Sequence, residues 1–167
     1  GDFPNRNNPN SVRPQQHQFR LTLNPQVSSK PTPLGLGPFG IALNGVLLEP
    51  GAAEFWRRNF NSGWQYEAKG GRINLGLDQH NAHVQPNGSY HYHGMPEGLV
   101  DRLYRKGRML LVGYAADGFP VYARYGYREP NNPESGIVGI QPSYRVRPGN
   151  RPGGPGGSHD GTFFEDY

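Results

Sequence analysis

Met109-Leu-Leu-Val-Gly-Tyr-Ala-Ala-Asp-Gly-Phe-Pro-Val-Tyr-Ala-Arg-Tyr-Gly-Tyr127 decides the fold class. Its first arm is a strongly apolar run of strand length, Asp117-Gly118 suits a tight hairpin turn, and Pro120 to Tyr127 brings the chain back in β-branched and aromatic residues. A buried hairpin in mid-chain follows. Upstream, Phe39-Gly-Ile-Ala-Leu-Asn-Gly-Val-Leu-Leu-Glu49 repeats the pattern, with Asn44-Gly45 between two apolar arms. Gln18-Phe-Arg-Leu-Thr-Leu23 alternates with Phe19, Leu21 and Leu23 on one face, the period of a half-buried strand, and Ile137 to Val146 offers one more. Thr162-Phe-Phe-Glu-Asp-Tyr167 also reads as a strand, with Glu165 and Asp166 on its exposed side.

Two helices are expected among these strands. Pro96-Glu-Gly-Leu-Val-Asp-Arg-Leu-Tyr-Arg-Lys-Gly107 has Pro at a first-turn position, apolar Leu99, Val100, Leu103 and Tyr104, and Gly as a stop. Ala52 to Arg58 predicts a shorter one pinned by Phe55 and Trp56. The expected class is therefore α+β, mainly antiparallel β-sheet and sandwich-like, with two short helices and long Pro/Gly-rich loops. Residues 1 to 17, rich in Asn, Pro, Gln and Arg, make a flexible polar arm, disordered or laid over the surface, and no catalytic role is built on it. Residues 18 to 167 form a single domain, the usual reading for a chain of 167 residues.

Composition narrows the function classes. The 25 glycines and 17 prolines favour loops, while 10 tyrosines and 8 phenylalanines supply a packed interior. The formal charge of +4 is scattered along the chain and gives no clear nucleic-acid signal. Without cysteine, any metal must be held by nitrogen and oxygen. No apolar run reaches the roughly 20 residues of a transmembrane segment, no signal peptide opens the chain, and it begins like a mature or trimmed domain. Phosphate-loop, nucleophile-elbow and His-Glu-x-x-His patterns are lacking.

Chemistry concentrates in His80-Asn-Ala-His-Val-Gln-Pro-Asn-Gly-Ser-Tyr-His-Tyr-His93. Alternate strand residues share a face, so His91 and His93 project from one side and Tyr90 and Tyr92 from the other, where they can pack on a core. Two such imidazoles, about 7 Å apart at Cα, can reach one ion if a third ligand closes the site. An Asn87-Gly88 turn folds Ala82 to Gln85 back antiparallel and brings His83 to the same point. His80 is the candidate fourth ligand, with Asp78 either an oxygen ligand or an orienting group. Three histidines plus water make an open site, whereas four protein ligands make a closed one. Imidazole donors suit Zn, Cu, Ni or Fe. Asp117 and Asp160 are candidate metal ligands or general bases, although both stand where turns want Asp. His17 and His159 are not assigned to a site.

Tyr90-His-Tyr-His93, preceded by His83 and Gly88, resembles the signature of the YHYH-domain proteins. Ile41 to Val46, Gly113 to Tyr122 and His159 to Tyr167 fit the same likeness. The resemblance implies a mostly bacterial, often exported protein, hence a secreted or periplasmic location, continuing beyond Tyr167. Family members often carry cysteine close to the position of Asp78 and Gly before the residue matching His83. Gln79-His80-Asn81-Ala82 departs from that pattern, which leaves a disulfide-supported loop without its cysteine and makes His80 an extra candidate ligand. The expected function is an extracytoplasmic metal-binding domain holding copper or zinc for storage, delivery or structural support. Two other functions stay open: a metal-dependent hydrolase or oxidase with an open three-histidine site, and a ligand-binding or adhesion module using exposed Tyr and Trp.

Overall fold

The computed structural model describes residues 1–167. In chain order its elements are β1 (Gly40–Ala42), β2 (Leu47–Leu48), β3 (Gly51–Phe55), β4 (Gln65–Glu67), β5 (Ala82–Val84), β6 (Tyr90–Tyr92), α1 (Glu97–Leu103), β7 (Leu110–Ala115), β8 (Pro120–Ala123), β9 (Tyr125–Tyr127) and β10 (Ile137–Gly139). Six strands form one sheet in the order β5-β6-β2-β1-β7-β8, and β3-β4 and β9-β10 form two-stranded ribbons. All pairings are antiparallel except β2 with β6. The protein is mainly β with one α-helix, an α+β arrangement as expected, and no helix is long and apolar enough to cross a membrane.

The hairpins predicted at Asn44-Gly45 and Asp117-Gly118 both form. The β1–β2 turn closes through Gly45 N to Ala42 O at 2.9 Å and the β7–β8 turn through Gly118 N to Ala115 O at 2.9 Å. Between them, β1 and β7 approach so closely that a Cβ at Gly40 would meet the Tyr114 carbonyl and one at Gly113 the Ile41 carbonyl. The β8 arm ends at Ala123 because Arg124 turns left-handed, at φ 62°, and sends Tyr125–Tyr127 to pair with β10 instead. Ala42, Leu48, Ala82 and Tyr92 form one buried cluster on the sheet. Val100 of α1 joins Leu110, Val112 and Ala123 in a second, and Leu99 and Val121 pack against both.

Three expectations fail for identifiable reasons. Gln18–Leu23 is not a strand: it has an alternating pattern but no ladder partner, and Leu23 is left 95 % exposed. Ala52–Arg58 is not a helix but β3 followed by a 3₁₀ turn at Trp56–Arg58. A seven-residue helix has little stability of its own, whereas β3 pairs with β4, and Gln65 Nε2 donates to the Ala52 carbonyl at 2.6 Å. Nor does the chain end on a strand. Phe163 is buried against Tyr66 and Trp64, and Phe164–Asp166 close a 3₁₀ turn. Asp166, expected on the surface, is fully buried: Arg151 grips it through Nε at 2.8 Å and Nη2 at 2.7 Å, and Gly161 and Phe163 donate backbone N–H groups. A carboxylate satisfied on every side can leave water.

Candidate metal centre

The β5–β6 hairpin builds the centre. Gly88 N donates to Gln85 O at 2.8 Å, with Gly88 at φ 90°, a conformation only glycine adopts freely. That turn sets the register Ala82↔Tyr92, His83↔His91 and Val84↔Tyr90. Directly opposed residues share a face, and His93, two positions beyond His91, joins them. Tyr92 turns the other way into the core, its hydroxyl receiving Asn44 Nδ2 at 2.9 Å. Tyr90 donates its hydroxyl to Asp78 Oδ2 at 2.7 Å. The two-faced strand expected from the spacing is present.

His83, His91 and His93 converge through Nε2. His93 Nε2 lies 2.9 Å from His91 Nε2 and 3.1 Å from His83 Nε2, and the three ring centroids are mutually 4.7 Å apart. Each Nδ1 faces a backbone carbonyl: Leu75 at 2.7 Å from His83, Pro50 at 3.3 Å from His93 and Ser89 at 3.4 Å from His91. A carbonyl only accepts, so these partners assign the ring proton to Nδ1 and leave three Nε2 lone pairs pointing at one another. Moving one proton to Nε2 would bridge a pair but set that ring's Nδ1 lone pair against an oxygen. Nitrogens bound tetrahedrally to one ion at about 2.0–2.1 Å stand roughly 3.3 Å apart, close to the spacing found. One cation at the common point would turn three repulsions into three bonds.

Burial reinforces this. His91 is 0 % and His93 5 % exposed. Loss of water, then the charges of His93 and His83, push His91 down to about 3, while loss of water, then His83, push His93 down to about 4. Both rings stay neutral, the form that binds a metal.

The other sequence candidates lie elsewhere. His80 is not brought to the cluster: its Nδ1 accepts the Gly98 N–H at 3.1 Å, satisfying a donor in the first turn of α1. Asp78 receives the His80 and Ala82 amides at 2.8 and 3.2 Å as well as Tyr90, so it braces the hairpin rather than an imidazole. Asp117 accepts Phe119 N at 3.3 Å within its turn, and Asp160 pairs with Arg151 at 2.5 Å. His17 stacks near Phe19, and His159 Nδ1 meets Gly149 O at 3.0 Å.

Two neighbours were not legible in the sequence. Asn8, only 4 % exposed, donates Nδ2 to Val84 O at 3.0 Å and lies 3.2 Å from His83 Nδ1. An Asn in an Asn-rich arm carries no signal of that kind. Glu49 shares a narrow cleft of ≈ 60 Å³ with His83, His93, Glu54 and Gln85, and burial raises its carboxyl above the usual value. It reaches the cleft because β2 pairs in parallel with β6, Leu47 with His91, a join 44 positions apart that no local pattern links.

Comparison with known proteins gives one match by family: the model of the family described as YHYH protein matches residues 18–167. No curated protein and no solved structure matches the chain.

Proposed function

The chain belongs to the YHYH family, and from that premise we propose that it is a metal-binding domain in which His83, His91 and His93 hold a transition-metal ion, copper or zinc. The observation that carries this is the convergence of three Nε2 atoms at 2.9 and 3.1 Å while every Nδ1 faces a carbonyl. Nitrogen-only donors favour these ions over calcium or magnesium. The carbonyl partners of Nδ1 fix ring orientation, as in known second-sphere arrangements. We place the domain outside the cytoplasm on the family resemblance, where it stores, delivers or is braced by the ion. Elemental analysis of the purified protein tests the reading, with zinc and copper titrated into chelator-treated samples. One ion per chain is expected, lost in the His91→Ala/His93→Ala double variant; equal metal content in the two proteins refutes it.

A hydrolytic role has one observation in its favour, the cleft that brings Glu49 and Glu54 beside His83 and His93. A water on the ion would be acidified to about pKa 7, and Glu49 stands where it could accept the proton. Glu49→Gln that keeps its metal but loses turnover of an aryl phosphoester supports this role, and undiminished turnover removes Glu49 from it.

A further inference from the structure

A second cavity borders β3 next to the histidine cleft, sharing Ala53 and Glu54 with it. It measures ≈ 460 Å³, within the range of small-molecule sites, and Arg57, Arg58, Arg72, Phe55, Phe60 and Tyr66 line it. The three arginines make no ion pair; the arginines that do are Arg124 and Arg151. Arg57 instead lies over the Trp56 ring at 4.4 Å. Glu54 supplies the cavity's lone carboxylate, against three guanidinium groups. Phe60 is 63 % exposed, tilted on Phe55 at 5.1 Å, so an apolar ring faces the opening without a cover.

The backbone here is unusual as well. Arg57 and Arg58 are consecutive left-handed residues, at φ 55° and 56°, although neither is glycine. Such conformations cost energy and gather at binding and catalytic sites. Their effect is to bring two arginines into the cavity lining together with Arg72.

We propose that this cavity binds a small molecule carrying a carboxylate or phosphate on a flat ring, with Arg57, Arg58 and Arg72 holding the oxyanion and Phe55 and Phe60 the ring. Guanidinium forks match both oxyanions through paired hydrogen bonds, and the exposed phenyl ring gives the ligand a face to stack on. The site does not rest on the metal reading. The wall of Ala53 and Glu54 that it shares with the histidine cleft puts the two ligands side by side.

Phenyl phosphate and benzoate are titrated into the full chain and followed by amide chemical shifts, with benzamide as the uncharged control. Saturable shifts are expected around Arg57 to Phe60, Tyr66 and Arg72, with no comparable binding of benzamide. The Arg58→Asn/Arg72→Ala variant should bind at least about tenfold more weakly, since charge-assisted pairs are the strong contacts; Asn tolerates the left-handed backbone. Metal content is measured on the same samples. Lost phosphate binding at unchanged metal content supports the site, while binding that survives the arginine changes, or shifts confined to 83–93, overturns it. Should the double variant misfold, wild-type binding that is indifferent to salt between 0.05 and 0.5 M also overturns it, because exposed guanidinium contacts are screened.

Discussion

Protonating His91 or His93 opposes both their burial and the neighbouring rings, and this sets a pH dependence for the metal-free protein. Their values of about 3 and about 4 in the fold lie below the roughly 6.5 of a free histidine. The unfolded chain therefore takes up more protons, so this contribution is complete above about pH 6.5 and is lost as pH falls through 6.5 toward 4 and 3. Urea midpoints of the apo protein should drop across that window, more steeply than in His91→Asn; parallel curves for the two proteins would remove the histidines as the cause. Asp166 works in the same direction but at lower pH. Arg151 first, then backbone amides, hold its carboxyl far below the usual range against the cost of burial, so its contribution is present above pH 4 and needs acid to remove. Asp166→Ala leaves Arg151, 6 % exposed, without its buried partner, and a loss of about 3–5 kcal/mol is expected in denaturant melts. A loss under 1 kcal/mol would mean that water already solvates the pair. The histidines were legible because ligand spacing is local, two apart on a strand. Asp166 was not, because its partner stands 15 residues away in a loop without periodicity.

Among the elements, those closed by an Asn-Gly or Asp-Gly turn were readable from the chain, since turn and pairing are specified within a few residues. Hence β1–β2, β5–β6 and β7–β8 all form where expected. The join of β2 to β6 was not readable: its register Leu47↔His91 depends on a parallel pairing with the β3–β4 ribbon in between. Ala52–Arg58 shows the same limit, because seven residues with two apolar anchors fit either period and the partner β4 decides. The β5–β6 turn gives an element-scale prediction. Gly88 sits at φ 90°, and an added Cβ would also press on the Arg13 side chain. Gly88→Ala should cost more than about 1 kcal/mol and loosen the His83↔His91 register, lowering metal affinity in a competition with a chromophoric chelator. An unchanged unfolding midpoint together with unchanged affinity would show that the turn does not position the ligands.

At the scale of the whole molecule, the question is whether the ion makes the fold or sits on it. The histidines occupy the face of β5 and β6 opposite Ala82 and Tyr92, while the two apolar clusters run along the sheet to α1 and β8 without them. Domains that unfold without metal lack such a core of their own. This one has it, so stripping the ion should preserve the sheet and cost only the binding free energy. At an ion concentration about 100 times Kd that is about 2.7 kcal/mol, which for a chain of this size lowers the melting temperature by roughly 5–11 °C. Far-UV circular dichroism at 25 °C should be the same with and without chelator, and the melting temperature should climb with added zinc or copper until the site saturates. A random-coil spectrum after chelation would make the ion structural and shift the function toward a metal-braced scaffold. A melting temperature indifferent to both metals would show that the native centre does not bind them. On the proposed reading, an ion held on a preformed sheet would be free to exchange, which storage or delivery requires and a scaffold does not.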